Sequence, residues 1–277
     1  MKDIDVSERN NTMLICPVCK NKLHMTENGL ACDGNHCFDR AKEGYVNLLC
    51  GQKPGDARGD SKEMAKSRHE FLKSGAYSPL AEAVGDLLQS HCPAGGTVLD
   101  ICCGEGDYTD RLTKRFPDRR FYGFDISKEM VRLAAKRRCG AEFFVANLSA
   151  IPLADSSVDF AFHLFAPFHE KEFSRVLKKD GRLVTVIPGS RHLFGLKEIL
   201  YEHPYENDEA IPELGGFTVE DKLRVRSELV LTEQGQMTAL LQMTPYYFRT
   251  PAAGMEKLQQ TERLVSEIEF VLYLLKK

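Results

Sequence analysis

Thr97-Val98-Leu99-Asp100-Ile101-Cys102-Cys103-Gly104-Glu105-Gly106 is the stretch on which the fold turns. An apolar run ends on an acid, turns through two glycines and enters Tyr108-Thr109-Asp110-Arg111-Leu112, so it reads as strand, loop and helix. Glycine suits such a loop because a β-carbon resists so tight a turn and would hold a ligand off the bare peptide. The loop therefore belongs to the nucleotide-binding type. A pyrophosphate ligand fits poorly: no Gly-Lys-Ser/Thr follows, and Glu105 and Asp107 place negative charge where a helix N-terminus would attract a phosphate. About nineteen residues past Gly106, Arg120-Phe121-Tyr122-Gly123-Phe124-Asp125 reads as a second strand ending on an acid. A carboxylate there can accept hydrogen bonds from both hydroxyls of a ribose. An acidic loop with a ribose acid suits a cationic nucleoside, and S-adenosylmethionine is one. A glycine turn in any Rossmann-like fold is the plainer reading, and the presence of both halves argues against it.

Outward from this loop, strands and helices alternate. Thr97 to Ile101, Arg120 to Asp125, Glu142 to Ala146, Ser157 to Phe165 and Arg182 to Ile187 have strand character. Helical stretches lie between them at Tyr108 to Phe116, Lys128 to Arg138 and His169 to Lys178. Strands separated by helices of this length pair in parallel with helices on both faces, so the fold class is α/β, Rossmann-like. Ligands of such sheets bind at the carboxyl ends of strands. Those ends are Asp100 to Gly106, Asp125, Asn147 and Phe165 to Pro167. Asp125 is placed on the ribose and Asn147 on the adenine edge. Leu164 to Phe168 would face the sulfonium methyl group of such a ligand and whatever receives it.

The chain of 277 residues suffices for one large domain with a small attachment. No run approaches the ~20 apolar residues of a membrane span, and Met1-Lys2-Asp3-Ile4-Asp5 is no signal peptide, so a cytoplasmic location is expected. The formal charge of −3 gives no global reason to bind nucleic acid, so any such binding needs a local patch. Four of the nine cysteines cluster near the N-terminus. That pattern favours reduced thiols around a metal over disulfides.

Residues 1–13 read as a flexible tail and 14–50 as a zinc-binding module. Cys16-Pro17-Val18-Cys19 presents two thiolates, and Cys32-Asp33-Gly34-Asn35-His36-Cys37 closes the shell with Cys32 and either His36 or Cys37. His24 competes less well. A closed four-ligand site of this kind is structural. Residues 51–75 form a linker and a basic helix, with Lys62, Lys66, Arg68 and Lys73 on either a solvated or a phosphate-contacting face. The large domain occupies 76–277.

Taken in order, the cysteine module, Lys42-Glu43-Gly44-Tyr45-Val46-Asn47-Leu48-Leu49, Pro54-Gly55-Asp56 and Leu99 to Gly106 resemble the bacterial 23S ribosomal RNA guanine-N1 methyltransferases, which modify a hairpin of the large-subunit RNA. The resemblance runs from Cys16 to about Pro245. It implies a class I methyltransferase domain using S-adenosylmethionine, and zinc on Cys16, Cys19, Cys32 and His36. Asp100, Gly104, Glu105 and Gly106 would lie along the cofactor, with Gly104 and Glu105 at its amino-acid end. Tyr77 and His192 are carried over to the same pocket. Cys102 stands where the family usually has glycine, so a slightly altered turn is expected. The resemblance admits a homodimer. It leaves open which of two neighbouring guanines is the target.

Guanine N1 carries a proton at neutral pH, and His163, His169 and Asp155 have suitable chemistry to remove it, without any being assigned as the base. Basic helices around Arg111, Lys114, Arg115, Arg119 and Arg120, and around Arg132, Lys136, Arg137 and Arg138, are expected to grip RNA. Arg191 could meet a phosphate, and Met243 to Tyr247 brings aromatics toward a flipped base or into the core. Two other functions compete: a small-molecule methyltransferase with the same core, and a non-catalytic zinc protein that binds RNA through a decayed loop.

Overall fold

In a computed structural model of the chain, the structure describes residues 12–51, 62–211 and 213–277. Most of the expected N-terminal tail, and nearly all of the linker from Gly51 to Asp60, lie outside the described residues. Three short antiparallel strands, β1 (His24–Met25), β2 (Gly29–Ala31) and β3 (Cys37–Asp39), make a small sheet. β4 (Val46–Asn47) follows, then helices α1 (Lys62–Lys73) and α2 (Ser78–His91). The alternating core comprises β5 (Thr97–Ile101), α3 (Asp107–Arg115), β6 (Arg120–Asp125), α4 (Lys128–Lys136), β7 (Glu142–Val145), β8 (Val158–Leu164), α5 (Glu170–Val176) and β9 (Leu177–Pro188). Then come α6 (Phe194–Leu200), β10 (Thr218–Leu231), α7 (Gln234–Gln242), a 3-10 turn (Pro245–Phe248), α8 (Ala252–Gln260) and β11 (Leu264–Lys276).

The large sheet has the order β10-β11-β9-β8-β5-β6-β7-β4. All pairs from β9 to β4 are parallel, while β11 runs antiparallel to both β9 and β10. From β5 the chain winds outward through β6 and β7, then crosses back to β8 on the other side of β5. This reversal opens a crevice above the carboxyl ends of β5 and β8.

β5 is buried along its whole length because both faces of the sheet are covered. On one face Val98 packs with Leu80, Val84, Phe160 and Phe162. On the other, Leu99 and Ile101 meet Phe124 and Phe144, and this second core extends into the cysteine module through Leu14, Leu23 and Leu30. The module is therefore docked on the sheet: Leu14 bridges to Leu153, the Ile15 N–H donates to Pro152 O at 3.0 Å, and β4 pairs with β7. Thr12 and Met13 take part, since Ala154 N–H donates to Met13 O at 3.0 Å and Thr12 is buried. No helix among the described residues is long and apolar enough to cross a membrane.

Candidate active site and metal centre

The loop after β5 is built on left-handed backbone. Cys102, Gly104 and Gly106 have φ of +58°, +54° and +78°. Gly106 is required twice over, because a β-carbon there would also stand 2.8 Å from the Ala134 side chain. Cys102 adopts a left-handed conformation that glycine would take without strain, at a cost of ~1–2 kcal/mol of backbone strain.

Above this loop lies a cleft of about 240 Å³, lined by Asp100, Gly104, Glu105 and Asp125 on one side and Leu164 to Pro167 on the other. Asp125 ties the two strand ends together, accepting from Gly104 N–H at 3.1 Å and Ser127 N–H at 2.8 Å. Asp100 is buried and accepts from the Thr109 hydroxyl at 2.5 Å. Burial pushes its carboxyl up to about 8; the Thr109 hydrogen bond opposes this, and the negative charge of Asp125 adds to it. Glu105 is 1% exposed and its Oε2 accepts from Arg137 and from the His69 ring, the latter at 2.9 Å. Its Oε1, like the hydroxyl of the lining residue Tyr108, is buried with no hydrogen-bond partner among the described residues. Unsatisfied polar atoms beside an acid-lined cleft fit a polar, cationic ligand.

Tyr77 and His192 form a buried pair one ring away. His192 Nδ1 accepts from Glu269 N–H at 3.2 Å, so Nε2 carries the ring proton and donates to the Tyr77 hydroxyl at 3.2 Å. Burial, with help from Lys197, lowers the imidazole to about 3, which keeps it neutral. Phe270 packs edge-on against Tyr77 and tilted against His192, and also lies 5.4 Å from Phe165 at the cleft mouth. Asn147 lies outside the cleft lining, its Oδ1 accepting from Ser149 N–H at 3.0 Å. Thus Asp100, Gly104, Glu105 and Asp125 come together in the cleft, Gly106 shapes its floor, and Tyr77, His192 and Asn147 stand beyond its lining.

The three candidate bases are engaged elsewhere. His163 is buried between Pro167 O, at 2.8 Å from Nε2, and the Thr185 hydroxyl, and burial lowers it to about 4. His169 caps α5, and Asp155 pairs with Arg175 at 2.8 Å on the surface. Most cations of α3 and α4 are likewise paired: Arg111 with Asp107 (2.7 Å), Lys114 with Asp110 (2.8 Å), Arg115 with Asp86 (2.6 Å) and Arg132 with Glu129 (2.6 Å). Sequence reasoning missed Arg68, His69 and Arg137 at the cofactor loop. Their only signal was a run of helical cations. A larger groove of about 610 Å³ along α6 and β11 has charged side chains that pair with each other, as in Arg191–Glu267 at 3.2 Å.

In the N-terminal module the donor atoms of Cys16, Cys19, Cys32 and His36 all lie within 4.8 Å of one another. Cys19 and Cys32 sulfurs are 3.5 Å apart, and His36 Nδ1 is 3.6 and 3.4 Å from the sulfurs of Cys16 and Cys32. A tetrahedral zinc with ordinary bond lengths needs edges of ~3.8 Å between sulfurs and ~3.6 Å from sulfur to nitrogen. The donor set fits. Cys37 is exposed on β3 and is not part of this cluster.

An open sheet of this order with β11 reversed, and an acid-lined cleft over a glycine loop at the switch point, defines a class I S-adenosylmethionine-dependent methyltransferase, here carrying a zinc ribbon. A family model described as a methyltransferase domain matches residues 98–184, and one described as RlmA, N-terminal, matches residues 14–54. The 23S rRNA (guanine(748)-N(1))-methyltransferase of Streptomyces fradiae is 32% identical over 254 residues, covering 91% of this chain and 80% of that protein. A Bacillus subtilis protein named "Putative 23S rRNA (guanine-N(1)-)-methyltransferase YxjB" is 29% identical across 90% of this chain and 92% of its own. By contrast, trans-aconitate 2-methyltransferase of Rhodopseudomonas palustris matches at 32% over only 41% of this chain and 48% of its own. The chain belongs to the 23S rRNA (guanine-N1-)-methyltransferase family.

Proposed function

We propose that this protein, acting in the cytoplasm, transfers the methyl group of S-adenosylmethionine to N1 of a guanine in a 23S ribosomal RNA hairpin. The observation that carries the reading is the joining of two units in one fold: an acid-lined cleft at the switch point and a zinc ribbon docked against the same sheet. A small-molecule methyltransferase has no use for the second. The non-catalytic reading is disfavoured because Asp100, Gly104, Glu105 and Asp125 still line an open cleft beside Cys102.

In this reading Asp125 takes the ribose hydroxyls and Gly104 and Glu105 border the amino-acid end, while Asn147, beyond the lining, is left without a contact to the adenine. Asp100 lines the floor. Tyr77 and His192 act through Phe270, fixing the wall on which Phe165 leans. Bound S-adenosylmethionine supplies an electrophilic methyl group on a sulfonium that is already a good leaving group, so alignment is the main demand on the protein. Phe165 serves the target side. It is 41% exposed, sits at the mouth of the cleft and is held at φ +55°, a conformation a bulky residue adopts only under constraint. Such a ring can stack on a splayed base. Cys16, Cys19, Cys32 and His36 hold the zinc that organises the ribbon.

The RNA contact is assigned to the ribbon and not to α3 and α4. Cations already paired with acids release fewer counterions from a phosphate backbone than free ones do. The ribbon surface instead exposes Lys20 and Lys42. A homodimer accords with the resemblance. The test is transfer of labelled methyl groups from S-adenosylmethionine to 23S rRNA by the purified protein. Label in the RNA is expected; cofactor binding without label in the RNA would overturn the proposal.

A further inference from the structure

The cleft is lopsided in charge. Among its described lining residues are four acids, Asp100, Glu105, Asp107 and Asp125, and one cation, Arg68. Acids suit the sulfonium and the ammonium of an S-adenosyl amino acid. Its carboxylate needs the opposite partner. Resting on the cofactor reading above, we infer that Arg68 is the receptor for the carboxylate of the cofactor's amino-acid end.

Three features place Arg68 for this role. Its side chain runs over the bare backbone of the glycine loop: the atom nearest to where a Gly104 β-carbon would stand is Arg68 Cδ, at 4.0 Å. Arg68 also lines the cleft alongside Gly104 and Glu105, the residues that border the amino-acid end in this reading. Finally, α1 is pinned on both sides of it. Ser67 donates to Gln242 Oε1 at 2.5 Å, His69 meets Glu105 at 2.9 Å, and Phe71 and Leu72 are buried beneath. The guanidinium itself reaches Met243 O at 3.5 Å, at the limit of a hydrogen bond. A planar guanidinium held this way can take a carboxylate through two parallel hydrogen bonds. The basic helix is thereby given a task other than solvation or phosphate contact. One of its cations faces the cofactor.

The test is calorimetric binding of S-adenosylhomocysteine, its decarboxylated analogue and 5′-methylthioadenosine to the full chain and to Arg68→Gln and Arg68→Lys. Loss of a charge-assisted contact predicts that Arg68→Gln weakens S-adenosylhomocysteine by about 10- to 100-fold. The decarboxylated analogue and methylthioadenosine should bind wild type and Arg68→Gln equally. Arg68→Lys should fall between wild type and Arg68→Gln for S-adenosylhomocysteine alone. Equal weakening of all three ligands would mark a structural role and overturn the inference. Undiminished S-adenosylhomocysteine binding with weakened RNA binding would overturn it in favour of a phosphate contact. Failure of the wild-type chain to bind any of the three would overturn the cofactor reading itself, an outcome separate from either of these.

Discussion

Asp100 should make the ligand-free protein less stable as pH rises. Its carboxyl is lifted from 3.8 to about 8, first by burial and then by Asp125, with the Thr109 hydrogen bond opposing. Between about pH 4 and pH 8 the folded protein therefore keeps a proton that the unfolded chain has released, so stability falls through that window and levels off above it. At ~1.36 kcal/mol for each tenfold change in proton affinity, the full effect is about 6 kcal/mol. Asp100→Asn has nearly the same shape, cannot ionise, and keeps an oxygen for the Thr109 hydroxyl, which now donates at 2.5 Å. The variant should gain about 1–2 kcal/mol over wild type at pH 5 and about 5 kcal/mol at pH 8. Urea unfolding of both proteins at the two pH values measures this. A difference independent of pH, or one that narrows as pH rises, would refute the reasoning. The same argument predicts that a cationic ligand expels the proton, so calorimetry of S-adenosylmethionine at pH 7 in buffers of different ionisation heat should show proton release that Asp100→Asn abolishes.

Metal analysis should find one zinc per chain; Cys32→Ser should lose it and open the ribbon to protease, whereas Cys37→Ser should keep it. Gly106→Ala combines φ +78° with a 2.8 Å approach to Ala134, and should destabilise by about 2–3 kcal/mol in chemical denaturation. Phe165→Ala should lower kcat/KM for RNA by roughly 5- to 100-fold, the worth of one base stack, while cofactor affinity measured by calorimetry stays the same.

Much of the sheet was legible because its strands are short apolar runs closed by distinctive residues. β5 and β6 begin and end where Thr97, Ile101, Arg120 and Asp125 suggested, and α3, α4 and α5 fall within two residues of expectation. The ends of the sheet were not. β9 starts at Leu177, five residues before Arg182, because Lys178-Lys179-Asp180-Gly181 looks like a turn and is instead an irregularity within the strand. β11 begins at Leu264, where Val265, Glu267 and Glu269 alternate with Leu264, Ser266 and Ile268 and dilute the apolar signal before Phe270. β4 is two residues long, and its parallel partner lies about a hundred residues away in sequence, a pairing no local pattern encodes.

In the site, Asp100, Gly104 and Asp125 could be read because strand ends and glycine turns leave local marks. His69 and Arg137 could not, since each comes from a different helix and they converge on Glu105 only in three dimensions. Arg68 was visible as a helical cation but not as one turned toward the loop. His163 shows the converse. Its chemistry would suit a base, but a lone histidine in an apolar strand is more often a satisfied core residue, and the buried ring is indeed satisfied by Pro167 and Thr185.

The central claim, methylation of guanine N1 in 23S rRNA, is met most directly by one measurement. Unmethylated 23S rRNA is incubated with the protein and S-adenosylmethionine, extended with reverse transcriptase, and digested to nucleosides for mass analysis. A single new stop in one hairpin and N1-methylguanosine in the digest are expected, because a methyl group at N1 removes a Watson–Crick donor. Methylation at another atom, or an unmodified RNA from a protein that binds both zinc and S-adenosylmethionine, would contradict it.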